Sequence, residues 1–235
     1  MKFFILWLAF YLTPFVDSSS FQEGAHQLLE QRVSDRGMVD YQGILDNREH
    51  IDQLYQQIGD MSLADASDAE KKAFYINAYN IATIHQVIEN YPVASPTDID
   101  GFFDKKKHAI AGEQLTLNEL EKKKLLEPYQ DPRVHFVLVC AAVSCPPLAS
   151  FAYEADQLET QLEEKTRQAL NNDTFVRVMD DKKRVELSKI FEWYQSDFTG
   201  QSPSLMAYVN QYRDQKIPAD YQVGHYEYDW ALNKQ

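Results

Sequence analysis

Ala73-Phe74-Tyr75-Ile76-Asn77-Ala78-Tyr79-Asn80-Ile81-Ala82-Thr83-Ile84-His85-Gln86-Val87-Ile88 is the stretch that decides the architecture. It lies inside a run from Glu70 to Tyr91 whose apolar residues recur at helical spacing, and Pro92 closes the run. The helix it predicts is apolar nearly all round, which places it at the centre of the molecule rather than on its surface. Polar residues interrupt that apolar surface, two of them asparagines. Asn77 and Asn80 are three apart and share a face. Buried amides must find partners. Either they clamp the backbone of a neighbouring loop, or they bind substrate or a developing oxyanion.

On the N-terminal side, Phe21 to about Arg36 reads as a helix, Gly37 to Tyr41 as a short extended piece, and Ile44 to Ile58 as a second helix. On the C-terminal side, Pro92 to Gly112 has loop character. Thr116-Leu117-Asn118-Glu119 spells a capping box that starts a short helix ending near Pro128. Val134-His135-Phe136-Val137-Leu138-Val139-Cys140 is brief, apolar and β-branched, the pattern of a strand buried on both faces. Glu154 to Asn171 is an amphipathic helix, Thr174 to Met179 and Arg184 to Leu187 form a hairpin, and Ser188 caps a helix carrying Phe191 and Trp193. Ser204 to Tyr212 is one more helix, and His225 to Trp230 a terminal aromatic strand or tail. These elements predict an α+β fold, a helix-rich single domain around a small β-sheet.

The chain of 235 residues is 44% hydrophobic and carries 14 Tyr, 13 Phe and 3 Trp, enough to exclude disorder. Thirty-six acidic against 23 basic residues give a net charge of −13, which argues against nucleic acid and anionic lipid as partners. Two cysteines exclude a disulfide scaffold. Lys2 and the apolar run Phe3 to Leu12, extending to Val16 at most and interrupted by Pro14, read as a leader over residues 1–20, with the domain occupying 21–235. The run is short for a membrane span, so no stable membrane insertion is expected after cleavage. Export to the periplasm or outside follows, with an uncleaved membrane anchor as the alternative.

The densest chemistry lies around the cysteines. Pro146 and Pro147 follow Cys145, and a helical turn begun by Pro146 would put Cys145 at an N-cap, where peptide dipoles favour a thiolate. His135 then serves as base and Glu121 as its orienter, the logic of thiol hydrolases and acyltransferases. Strand alternation turns His135 and Cys140 to opposite faces, which leaves Cys145 as the imidazole's partner. Three rival readings stand beside this one. Cys140 and Cys145 form a short-loop disulfide in a non-catalytic binding module of the envelope, both are small core residues, or the pair cycles in redox chemistry. The histidines show no metal-ligand spacing and the glycines no phosphate loop, so neither a metal nor a cofactor is expected.

Several segments together resemble the domain-of-unknown-function 547 family. They include Val39-Asp40-Tyr41, Ala73 to Asn80, Leu115 to Glu121, Asp131-Pro132-Arg133-Val134-His135-Phe136, Ser144-Cys145-Pro146-Pro147-Leu148, Ile190 to Tyr194 and Tyr228 to Asn233. The resemblance implies a single exported or membrane-linked domain and brings no agreed reaction. It also implies that Glu121, Arg133, His135 and Cys145 sit in signature segments, which adds Arg133 to Asn77 and Asn80 as a candidate binding residue. Ile44 departs from the leucine more usual there, a swap within the core.

Overall fold

The computed structural model describes residues 18–235. The leader reading falls on residues outside that range except for Ser18 to Ser20, which form the first turn of α1 (Ser18–Arg32). α2 (Tyr41–Asp46), α3 (Arg48–Asp60) and α4 (Asp68–Asn90) follow. The helix expected over Ile44 to Ile58 is thus two helices, parted at Asn47. α4 matches the stretch quoted first. Its residues from Lys72 to Val87 are buried apart from Tyr75, and Ser67 and Glu70 close a capping box at its start.

β1 (His108–Ile110) and β2 (Glu113–Leu115) form an antiparallel hairpin. α5 (Leu117–Glu119) begins at the predicted capping box, in which Thr116 Oγ1 accepts the Glu119 N–H at 3.1 Å and Glu119 Oε2 the Thr116 N–H at 3.0 Å. The helix continues as a π-helical segment over Leu120–Leu126 and ends in α6 (Glu127–Tyr129). Beyond it lie α7 (Leu158–Leu170), β3 (Val176–Met179), β4 (Arg184–Leu187), α8 (Ile190–Trp193), α9 (Gln195–Gly200), α10 (Leu205–Tyr212) and β5 (Gln222–His225). The hairpin β3–β4 has the expected place, and β5 adds to β4 in parallel. The fold is α+β and helix-rich, with one sheet of two strands and one of three among the described residues.

The segment from Val134 to Cys140 corrects the sequence reading. It is no strand. Pro132–Phe136 is a 3₁₀ turn, and the chain beyond it is irregular. Two local causes are visible. Asp131 caps the turn by accepting the Arg133 N–H at 3.0 Å, and Pro132 sits at its first position, where its missing N–H costs nothing. Asn80 then takes the place of a neighbouring strand, donating to Val137 O at 2.9 Å and accepting the Val139 N–H at 3.0 Å. The burial was predicted well, since Val134, Phe136 and Val137 are all within 1% of complete burial. What failed is the inference from burial to strand, because one amide side chain supplies what a ladder would have supplied.

The buried apolar residues form two clusters. The first joins α1, α3 and α4 to the cysteine loop, and the second joins α7, the three-stranded sheet and α10 through Phe136, Phe191 and Phe198. Tyr228 packs against both. The last residues bind early ones. Tyr41 donates to Asn233 Oδ1 at 2.7 Å, Val39 bridges to Lys234, and Ala142 bridges to Leu232.

Candidate functional site

A cavity of about 310 Å³ opens where the two clusters meet. That volume is at the lower end of the range for small-molecule sites. Three of the sequence-predicted residues, Cys145, His135 and Glu121, share its wall. The chain reaches this arrangement from three separate places: the π-helical segment carries Glu121, the 3₁₀ turn carries His135, and the loop after it carries Cys145.

Cys145 is bonded to Cys140 in a disulfide, the pairing that stood among the rival readings, so neither sulfur is a free thiol in this state. Nor does Pro146 start a helix, so Cys145 is no N-cap and gains nothing from helix dipoles. Two other donors face its sulfur. The Cys140 N–H lies 3.1 Å from Cys145 Sγ, and the Tyr228 hydroxyl donates to the same atom at 3.1 Å, with Cys140 Sγ at 3.2 Å. Burial raises Tyr228 far above the usual phenol range, so the hydroxyl keeps its proton and remains a donor.

His135 is buried, and its ring is held on two sides. Nε2 lies 2.9 Å from Asp197 Oδ2, and Nδ1 faces Glu121 Oε1 at 3.8 Å. The tautomer that donates Nε2–H to Asp197 leaves the Nδ1 lone pair toward Glu121. The ring also packs on Tyr194 at 4.1 Å and Phe198 at 5.3 Å between centroids. The hydrogen bond from His135 holds the Asp197 carboxyl below its usual value, despite partial burial. Asp197 therefore occupies the orienting position that sequence reasoning gave to Glu121. No sequence motif marks Asp197, because it lies 62 residues along the chain from the imidazole it meets, on α9.

Glu121 has a different role open to it. Burial raises its pKa, and the attraction of His135 and the hydrogen bond of Tyr194 only partly offset that. A carboxyl so placed holds its proton to higher pH than a solvated glutamate, the requirement for a general acid. A π-helical turn is a common way to project a side chain out of register at a functional site, and Glu121 sits in the first turn of one.

The three candidate binding residues lie elsewhere. Asn77 donates to Tyr153 O at 2.9 Å and accepts the Tyr153 N–H at 2.8 Å, and Asn80 clamps Val137 and Val139 in the same way. Both amides hold loop backbone, the first of the two alternatives left open by the sequence. The Arg133 guanidinium is bonded to Asp131 at 2.8 Å and Glu159 at 2.7 Å. Asp131 is also bonded to Lys72 at 2.6 Å. Burial alone would raise the Asp131 carboxyl, but these two cations bring it down to about 2. Among the described residues, no group of histidine, cysteine and carboxylate side chains is arranged to hold a metal ion.

The mouth of the cavity is aromatic. Trp193, Tyr228 and Trp230 pack together with centroids 4.7 to 5.9 Å apart, and Phe103 touches Trp230 at 6.1 Å. Trp193 is 49% exposed. A half-exposed indole whose ring contacts continue into the cavity gives a ligand an apolar face to rest on.

Residues 63–169 match the family model described as "Protein of unknown function, DUF547". The match covers Asn77, Asn80, Phe103, Glu121, Arg133, His135 and Cys145, and it stops short of Asp197 and of Trp193, Tyr228 and Trp230. No curated protein and no solved structure matches the chain. No helix among the described residues is long and apolar enough to cross a membrane.

Proposed function

With a DUF547 segment at the centre of the chain, we propose that the cavity is the active site of an exported thiol-dependent hydrolase or acyltransferase, switched on when the Cys140–Cys145 disulfide is reduced. The observation that carries this reading is the convergence on one cavity of Cys145, with two donors on its sulfur, and an imidazole oriented by Asp197. Hydrogen bonds to sulfur favour the thiolate, so the Cys140 N–H and the Tyr228 hydroxyl replace the helix dipole expected from sequence.

An external dithiol reduces the bond, giving two protein thiols and one oxidised dithiol. The Cys145 thiol passes its proton to His135, and the thiolate attacks an ester or amide carbonyl. The tetrahedral intermediate collapses to an acyl-thioester as the leaving group departs with a proton. Water, or a second nucleophile in the transferase case, then cleaves the thioester and restores the thiol. Glu121 is positioned to supply the proton that the leaving group takes.

The test is competitive alkylation after gentle reduction. Cys145 should react at least about tenfold faster than Cys140 near neutral pH, and His135→Ala should remove most of that advantage. Equal and slow labelling of both cysteines, unchanged by His135→Ala, would sink the proposal.

One observation favours a second reading, a binding module of the envelope. The disulfide is intact and the aromatic mouth needs no thiol to hold a ligand. Ligand binding by the oxidised protein, with no acyl-enzyme formed after reduction, would select it. An oxidised pair also suits an exported location, because reducing compartments keep thiols apart.

A further inference from the structure

The charges around the cavity point to the class of ligand. No lysine or arginine lies among the residues that line it. In sequence, acids adjoin the aromatic residues of the mouth, Asp104 after Phe103, Glu192 before Trp193, and Glu227 and Asp229 on either side of Tyr228, and Glu121 is the one carboxylate in the lining itself. Of the lysines nearest in sequence, Lys105 is bonded to Asp100 at 2.8 Å and Lys106 pairs with Glu89 at 3.2 Å, and Lys107 lies outside the lining as they do. Lys189 pairs with Glu192. No cation pairs with Glu227 or Asp229 among the described residues, and Glu227 is exposed. A phosphate or carboxylate ligand would meet the Glu121 carboxyl and no lysine or arginine in the lining.

We infer that the cavity takes a small organic cation, an alkylammonium compound whose charged head rests on the Trp193–Trp230 face while its other end reaches the disulfide. As a substrate class, an alkylammonium ester or amide, the inference rests on the thiol-enzyme reading above. As a binding preference it stands on the cavity alone. Trp193 and Trp230 are near-parallel, 24° apart, with centroids at 5.9 Å, and half of Trp193 is open to solvent. Indole faces are the strongest aromatic partners for a cation. The net charge of −13 draws cations to the molecule from a distance and repels anions. A volume of about 310 Å³ accommodates a small molecule and excludes a folded partner.

The experiment uses the oxidised full chain, so it is independent of any thiol chemistry. Tryptophan fluorescence and calorimetry would compare choline with its neutral isostere 3,3-dimethylbutanol and its anionic counterpart 3,3-dimethylbutanoate. Choline should bind at least about tenfold tighter than the neutral isostere, the anion should not bind, and added salt should weaken choline alone. Trp193→Ala should weaken choline about tenfold with little change in melting temperature, since the side chain is half exposed. Glu227→Gln, an exposed change that leaves packing untouched, should weaken choline and leave the neutral isostere unaffected. Equal affinity for choline and the neutral isostere, preference for the anion, or no saturable choline binding up to about 50 mM, beyond the affinities of most specific sites, overturns the inference. Failure here leaves the alkylation result at Cys145 untouched, so the two readings fall separately.

Discussion

Asn80→Ala should destabilise the protein by about 3 to 5 kcal/mol, an effect out of proportion to the few atoms removed. Two hydrogen bonds disappear, and the Val137 carbonyl and Val139 amide they served are buried with no other partner to turn to. Each of the two backbone groups left unmade in the interior costs about 1 to 3 kcal/mol, a sum that brackets the expected loss. Asn80→Asp should be comparably damaging, because it keeps an acceptor for the Val139 N–H but turns a carboxylate oxygen on the Val137 carbonyl. Urea unfolding at pH 7 measures both. A loss below about 1 kcal/mol in Asn80→Ala would mean that the loop finds other partners and that the amide is no structural substitute for a strand. The loop leads directly into Cys140, so the same variant should also blunt any selectivity between the cysteines in alkylation.

Acid should weaken the fold well before its carboxylates are titrated. His108 is fully enclosed, with Nδ1 accepting from Tyr55 Oη at 2.8 Å and Nε2 donating to Gln86 Oε1 at 3.0 Å. Both contacts suit the neutral ring. Burial, then the charges of Lys106 and His85, lower its pKa to about 4, with Glu89 acting the other way. The unfolded chain takes up a proton near the ordinary value of 6.5, whereas the folded chain refuses it until about pH 4. Stability is therefore complete above pH 6.5 and falls as the pH drops toward 4, by about 3 kcal/mol over that window at 1.36 kcal/mol per unit. His85, stacked on Tyr55 and faced by Asp52, Glu89 and Arg48, is also lowered and loses stability in the same direction. Asp131 acts only below its ordinary value of 3.8, and Glu121, whose pKa is raised, works in the opposite sense. Unfolding free energy from urea titrations at pH 7.0, 5.5 and 4.5 should show the fall, and His108→Asn should flatten it. A level profile in the wild type across those points would remove His108 from the account.

The parts of the fold legible in the sequence are those set by neighbours in the chain. The Thr116–Glu119 capping box, the β3–β4 hairpin and the buried α4 each depend on residues within a turn or a helical repeat, and each is present. The parts misread depend on distant residues. Nothing near Val134 to Cys140 announces that an amide 57 residues earlier will satisfy Val137. Periodicity reports burial, and burial is shared by strands and by irregular chain held in this way. The candidate site divides along the same line. Cys145, His135 and Glu121 were legible by residue type and context, and the structure brings them to one cavity. Asp197 and the aromatic mouth were not, because their meaning lies in what they meet.

The bonds from the last residues to Tyr41, Val39 and Ala142 set an order of assembly. A chain made from its N-terminus holds every residue of α4, the 3₁₀ turn and the cysteine loop long before Tyr228 and Trp230 exist. Until then the loop lacks its bridge to Leu232, Cys145 Sγ lacks its hydroxyl donor, and the cavity stands open on one side. A ribosome-stalled chain ending near residue 225 would therefore carry both cysteines and the imidazole yet no finished site. The cavity wall is therefore complete only once residues 226–235 are in place.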